Sequence, residues 1–328
     1  MRDVAALAAV DISTVSKVLK GEGISVRPET RTRIMDAITK LDYRPNLHAR
    51  GLRLRRTGAM GMLLPDITNP VYANIVRGAV KRADELGYSV LLAEATDAAA
   101  EDAYRRLVQD KRIDGLLVTT ARRTSRVTAQ LARDGIPHVF VNRRVEASAP
   151  SVTVDDEAGA ALAARAMIER GHQHLGIVAG PNDVDTARRR LAGFRDEIAR
   201  QGLRPPTVSR GAFTPSGGHE AMAALLASAR RPSAVLVSNF TAAIGALRAI
   251  VDAGLSAPGD VSLVSFDDAE IATFLNPALT SIQMPFEEMG STAIDVLAEV
   301  IDGKSPGSAV VTTSPRLVVR ESLQSAKR

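Results

Sequence analysis

The chain has 328 residues, 45% hydrophobic, 24% charged and 3% aromatic, a globular composition long enough for two or three domains. It contains no cysteine, which excludes disulfide scaffolds, thiol nucleophiles and cysteine-ligated metal centres. The formal charge of +5 is unevenly placed: residues 1–58 carry twelve Lys/Arg against six Asp/Glu, net +6, and the remaining 30 bases and 31 acids give −1.

No apolar run reaches the roughly 18 residues that a membrane span needs, and the first residues lack the apolar stretch of a signal peptide, so a soluble, cytoplasmic protein is expected. In residues 1–42, Val4, Leu7 and Ala8, then Val15, Val18 and Leu19, then Ile34, Ile38 and Leu41 recur at helical spacing and predict three short helices. Gly21 and Gly23 separate the second from the third, which Pro28 opens, since a first-turn proline needs no N–H. Residues 43–65 contain no acid and carry Arg44, His48, Arg50, Arg53, Arg55 and Arg56.

Beyond Gly58, short apolar runs alternate with amphipathic helical stretches: GMLLPD (61–66), VLLAEA (90–95), GLLVTT (115–120), HVFVNR (138–143), LGIVAG (175–180), AVLVSN (234–239) and VSLVSF (261–266). Each is Leu-rich or β-branched without polar alternation, the pattern of parallel strands buried on both faces. Alternating β and α segments across the 270 residues that follow Gly58 exceed one ordinary domain, so two doubly wound α/β lobes are expected. Ligands of such sheets bind beyond the carboxyl ends of the strands, and the polar residues there are the first site candidates.

Helix, tight turn, helix lets a second helix enter the major groove while the first braces on the backbone. Here Asp11 can cap the second helix, whose outer face carries Ile12, Ser13, Thr14, Ser16, Lys17 and Lys20, groups suited to base edges and phosphates. The segment RDVAALAAVDISTVSKVLKG, followed by VRPETRTRI, LDYRPN and HARGL, resembles the lactose-repressor (LacI/GalR) family of bacterial transcription regulators. The resemblance continues through NPVYANIVRGA, GHQHLGIVAGP, RRRLAGF, DVSLVSFDD and LTSIQMP, nearly the whole chain.

The resemblance implies a helix-turn-helix headpiece (1–44), a hinge helix (45–57) and a core like the periplasmic sugar-binding proteins (58–328). Within the core it implies one lobe at about 58–154 and 285–312 and another at about 155–283 and 314–328. It places base reading on Ile12, Ser13 and Lys17, phosphate contacts near Thr14, Ser16 and Lys20, and further DNA contacts on Asn46, Arg50 and Leu52, with Leu52 wedged into the minor groove. About eight residues cannot hold a helix alone in water, so the hinge is expected to fold on DNA.

The family's effector positions fall on Tyr72, Asn142, Arg190, Asn239 and Asp267, between the lobes. A carboxylate and a guanidinium converging at strand ends can take vicinal hydroxyls in bidentate fashion, which suits a sugar effector. Departures from the family pattern are Ala9 for the glycine of the turn, Asp11 for a common serine, Lys17 for the usual arginine, and Phe240 for an aspartate. Phe240 is expected to remove a helix cap and to put an aromatic face near the pocket.

His172 and His174 lack a nearby third ligand, so no metal is expected, and DDEAG (155–159) reads as a helix N-terminus whose acids complement the macrodipole. An enzyme on a doubly wound scaffold is the alternative class, but no GxxxxGK followed by Ser or Thr, no GxGxxG opening a helix after a strand and no GxSxG is present. A solute-binding protein without DNA would share the core but not the basic headpiece. The sequence therefore predicts a homodimeric repressor that reads a near-palindromic operator under a small-molecule effector, needs no cofactor, and lacks the leucine heptads of a coiled-coil tetramer.

Overall fold

The apolar periodicities of the first 42 residues become α1 (Arg2–Leu7), α2 (Ile12–Leu19) and α3 (Pro28–Lys40). The computed structural model of the chain describes residues 1–19, 26–43, 56–95, 105–120, 130–131, 133–144 and 149–327. Lys20, Asn46, Arg50 and Leu52 therefore lie outside the described residues. The chain divides into two units, Met1–Thr57 and Gly58–Arg328.

In the first unit Val4, Ala5, Ala8, Val15, Val18, Ile34 and Ala37 form a buried core, with Val10, Leu19, Val26, Ile38 and Tyr43 packed against it. Leu7 and Leu41, expected on the buried faces, are instead 48% and 43% exposed. Each lies in the last turn or just past the end of its helix, where the core no longer reaches. Helix α1 closes with Ala9 N–H donating to Ala6 O (3.2 Å) and Val10 N–H donating to Ala5 O (3.0 Å), and Ala9 takes φ of +53°. That is the paired C-terminal cap that normally uses glycine. Asp11 Oδ1 then accepts from Ser13 N–H at 2.8 Å and starts α2. Those Ser13 hydrogen bonds hold the Asp11 carboxyl below its ordinary pKa.

The second unit holds two sheets. Strands β1 (Ala59–Leu64), β2 (Ser89–Glu94), β3 (Gly115–Val118), β4 (His138–Val141), β5 (Ser151–Thr153) and β11 (Ala309–Val310) make the first, in the order β11-β5-β4-β3-β1-β2, and its pairs are parallel. Strands β6 (Leu175–Ala179), β7 (Thr207–Arg210), β8 (Ala234–Val237), β9 (Ser262–Phe266), β10 (Thr280–Gln283) and β12 (Arg316–Val318) make the second, ordered β12-β10-β9-β8-β6-β7, with only the β10–β12 pair antiparallel. All seven apolar runs are strands, and the central ones are buried along their length. The chain passes between sheets after β5, after β10 and after β11.

Helices α4 (Pro70–Glu85) and α9 (Phe286–Ile301) pack together in the first lobe. In the second, α5 (Asp156–Glu169) packs on α6 (Asp185–Arg200), and α7 (Pro215–Leu226) on α8 (Phe240–Asp252). The α5–α6 crossing depends on Gly193: a Cβ there would lie 2.2 Å from Glu157 O. This close approach brings the arginines of α6 to the first turn of α5. Among the described residues no helix is long and apolar enough to cross a membrane.

Candidate ligand cleft and helix-turn-helix surface

Helix α2 sorts its residues by face. Val15 and Val18 are buried, whereas Ile12, Ser13 and Lys17 are exposed, Ile12 by 42%, and Thr14 and Ser16 are half-buried. The groups singled out for base edges thus project from the surface on one helix anchored by two valines. Hydroxyls, a cation and an apolar tip on one exposed helical face suit the major groove.

In the second unit, the polar residues that close β4, β8 and β9 gather around Arg190 of α6. Arg190 is 3% exposed; its Nε donates to Asp156 Oδ1 at 2.6 Å, Nη1 donates to Ser238 O at 2.5 Å, and both terminal nitrogens lie 3.3 Å from the Asp267 carboxylate. The guanidinium also sits over the Phe266 ring, 3.9 Å from its centroid. Burial works against the charged form of Arg190, but Asp267 and Asp156, with a smaller share from Tyr72, outweigh it and raise its pKa above the ordinary value. Burial pushes the Asp267 carboxyl up to about 6; Arg190 opposes the rise and Asp156 adds to it.

The other expected positions converge here to different degrees. Tyr72, buried near the start of α4, belongs to the first lobe yet lies within electrostatic reach of Arg190. Asn142 follows β4, buried, with φ of +63° and an Oδ1 that finds no hydrogen-bond partner. Asn239 follows β8, but its Oδ1 accepts from Ala242 N–H at 2.8 Å and caps α8, which leaves mainly its amide donors for another role. Phe240 therefore removes no cap, contrary to expectation. Its ring is buried in the core formed by Met222, Ala243, Ala246 and Leu263 on that side of the lobe, because the first helical position turns it away from the strand end.

Five site-lining residues escaped the sequence reading. The sequence reads Asp156 as a first-turn acid that complements the helix dipole; Asp155 does cap α5 by accepting from Ala158 N–H at 2.9 Å, but Asp156 is fully buried and pairs with both Arg189 and Arg190. Asp185 and Arg189 flank the same helix turn, linked by Nε to Oδ2 at 2.9 Å. Burial pushes the Asp185 carboxyl up, yet the Arg144 N–H and the Arg189 and Arg188 guanidiniums outweigh it and hold the group below its usual range. Arg143 donates from Nε to Thr119 O at 3.0 Å and keeps a buried Nη1 without a partner. Ser238 Oγ is likewise buried and unpartnered. Unsatisfied buried polar atoms are rare, and several at facing strand ends mark a place for a polar ligand. The RRR run and the doubled aspartates were the only signals, and i, i+1 neighbours in a helix face different directions, so composition alone could not sort them.

Cavities of about 700 Å³ beside His172, Ser233 and Gln324 and of about 290 Å³ beside Arg165 and Pro315 lie elsewhere; neither is lined by Arg190 or Asp267. His172 has both ring nitrogens engaged, by Ser233 Oγ at 2.9 Å and Gln324 O at 3.0 Å, and burial holds its pKa below the ordinary value. Among the described residues no cluster of three His, Asp or Glu could hold a metal.

Fold and cleft together define a class: a two-lobed, doubly wound ligand-binding core that carries a helix-turn-helix unit. Residues 1–46 match the bacterial regulatory proteins of the lacI family, and residues 164–323 match the periplasmic binding protein-like domain. The ribose operon repressor of Escherichia coli (strain K12) is 35% identical over 329 residues, covering 98% of this chain and 99% of that protein. Among solved structures, a lac repressor dimer bound to operator and the anti-inducer ONPF superposes with a TM-score of 0.79 at 28% identity, and a transcriptional regulator CelR–cellobiose complex with 0.75 at 30%; each comparison covers 98% of both chains. The chain belongs to the lacI family of bacterial regulatory proteins. Its relatives are transcriptional repressors, and it is a DNA-binding regulator of that type.

Proposed function

We propose that this regulator is a homodimeric repressor whose affinity for a near-palindromic operator is set by a sugar or related polyol bound between the two lobes. What carries it is one constellation: Arg190 of α6 and Asp267 at the end of β9, both buried and within 3.3 Å of each other, with Asn142 Oδ1 and Ser238 Oγ buried and unpartnered nearby. Vicinal hydroxyls can bridge a carboxylate and a guanidinium and supply the hydrogen bonds these atoms lack. Relatives crystallised with cellobiose and with ribose support the same ligand class.

Residues 1–44 form the headpiece, with Ile12, Ser13 and Lys17 against bases and Thr14, Ser16 and Lys20 toward phosphates. Residues 45–57, with Asn46, Arg50 and Leu52, act as a hinge that folds on DNA, Leu52 opening a flexible pyrimidine–purine step at the operator centre. The lobes are drawn from about 58–154 with 285–312 and about 155–283 with 314–328. Effector binding changes their relative angle and so the population of DNA-competent dimers. The protein has no enzymatic role and works in the cytoplasm.

Selection of random duplexes with the purified chain tests the DNA half. Enrichment of a palindrome with half-sites about one helical turn apart is expected; no enrichment over bulk DNA overturns the proposal. Titrating the selected duplex with pentoses, hexoses, disaccharides and nucleosides then finds the effector, and R190Q is expected to abolish the response while operator binding without ligand survives.

A further inference from the structure

Arg189 begins in the second lobe and ends on the first. From α6, its Nε donates to Asp185 Oδ2 at 2.9 Å, Nη1 donates to Val154 O at 3.0 Å, and Nη2 reaches Asn142 O at 3.5 Å, at the end of β4. Asp185 Oδ2 also accepts the Arg144 N–H at 3.0 Å, so the acid and the base of one lobe together hold Asn142, Arg144 and Val154 of the other. Arg189 is only 5% exposed and Asp185 8%. A buried ion pair of this kind is a poor device for stability, because desolvation offsets most of its attraction; its value lies in fixing one geometry.

The grip is continuous with the cleft. Asp156 places Oδ2 against Arg189 Nη1 and Oδ1 against Arg190 Nε, so a displacement of Arg190 is felt at Arg189 through one carboxylate. Asn142 joins the two systems from the opposite side: its carbonyl takes Arg189, while its unpartnered Oδ1 belongs to the cleft. Its left-handed backbone, φ +63°, turns the carbonyl out of the strand direction at this point.

We propose that Arg189 and Asp185 are positioning residues that clamp the segment just after β4 of the first lobe to α6 of the second and set the angle across the cleft, with Asp156 linking the clamp to Arg190. The clamp deepens the effector reading of the cleft, but the angle it sets exists without ligand or DNA and can be measured alone. Closure of two rigid lobes about a ligand depends on such a small number of bistable contacts.

Because the chain has no cysteine, labels can be placed at R112C on the first lobe and R204C on the second, both positions exposed in the native chain. Pulsed electron spin resonance, on samples diluted with unlabelled chain, then reads the inter-lobe distance. The parent is expected to give one narrow distribution. R189Q and the isosteric D185N are each expected to lengthen or broaden it by several ångströms, and R189K, which keeps the charge but loses the fork, to lie between. Distributions of D185N and R189Q that coincide with the parent overturn the clamp. If the distances move as expected but no small molecule alters operator binding, the clamp stands and the effector reading of the cleft falls.

Discussion

Two short polar residues occupy the left-handed region at equivalent points of the two sheets: Asn142 (φ +63°) just after β4, and Asp267 (φ +70°) just after β9, each following the fourth strand of its lobe. Asn and Asp are the side chains that tolerate this backbone best, and in both lobes the bend keeps the side chain at the strand end instead of continuing the sheet. Asp267 bears the larger electrostatic load. With its carboxyl raised from 3.8 to about 6, the folded chain holds a proton between those pH values that the unfolded chain has released. Stability from this group therefore rises as pH falls through 6 and levels off below 3.8. D267N lacks the titration, so its stability relative to the parent should drop by about 1 kcal/mol, a few degrees in melting temperature, between pH 7.5 and 5. A pH-independent difference in calorimetry would show that the carboxyl is not raised. Asp185, held below its usual range, acts in the opposite sense and loses its contribution only in strong acid, outside this window. Ala9 is a third left-handed residue with a different cost: a methyl where the C-terminal cap of α1 prefers glycine. A9G should stabilise the headpiece by roughly 0.5–1 kcal/mol, the αL penalty less the added freedom of the unfolded chain. Slower hydrogen exchange at the amides of α1 and α2 in the full chain is the readout, since the larger core would dominate a thermal melt.

At the level of elements, the α5–α6 crossing makes the cleft. Gly193 lets α6 approach until Arg189 and Arg190 both reach Asp156, whose two oxygens are divided between them. Removing that carboxylate leaves two guanidiniums facing each other in a dry site. D156A is expected to cost about 3–5 kcal/mol in urea unfolding of the core, and a loss under 1 kcal/mol would mean that solvent reaches both arginines. The sequence showed this region only in part. Central strands such as AVLVSN and LGIVAG announce themselves because both faces are buried, and the residues that end them, Asn142, Asn239 and Asp267, follow from the rule that doubly wound sheets bind ligands there. The strands SVT, TVSR, TSIQ and RLV are three or four residues long and rich in polar side chains, and TVSR and RLV lie at sheet edges, so nothing in their composition separates them from loops. Asp156 and Arg189 stayed hidden for another reason. Which side of a helix faces an ion partner depends on how closely two helices cross, and that was decided by Gly193, far along the chain from Asp156.

For the whole molecule, the distribution of charge separates the two jobs. Residues 1–58 hold a net +6 and the rest −1, so the salt dependence of DNA binding is expected to belong almost entirely to those first residues, and the proposed dimer would double it. Within that charge, a lysine on a base edge and a lysine on a phosphate make different predictions. Lys17 is exposed on α2 one turn beyond Ser13 and on the same face as it, which favours the base edge. K17A should then weaken the selected operator by roughly 10-fold or more while leaving bulk DNA nearly unaffected, and it should relax preference at one base pair of each half-site, a change of about 1–3 kcal/mol per contact. If Lys17 instead neutralises a phosphate, K17A weakens operator and bulk DNA alike, and the slope of log affinity against log salt shrinks by about 0.9 for each of the two protomers. Binding isotherms on both duplexes across a salt series distinguish these outcomes. A lysine where the family pattern has an arginine makes only a point-charge contact with guanine, so the base it selects should also be the least stringent position of the operator.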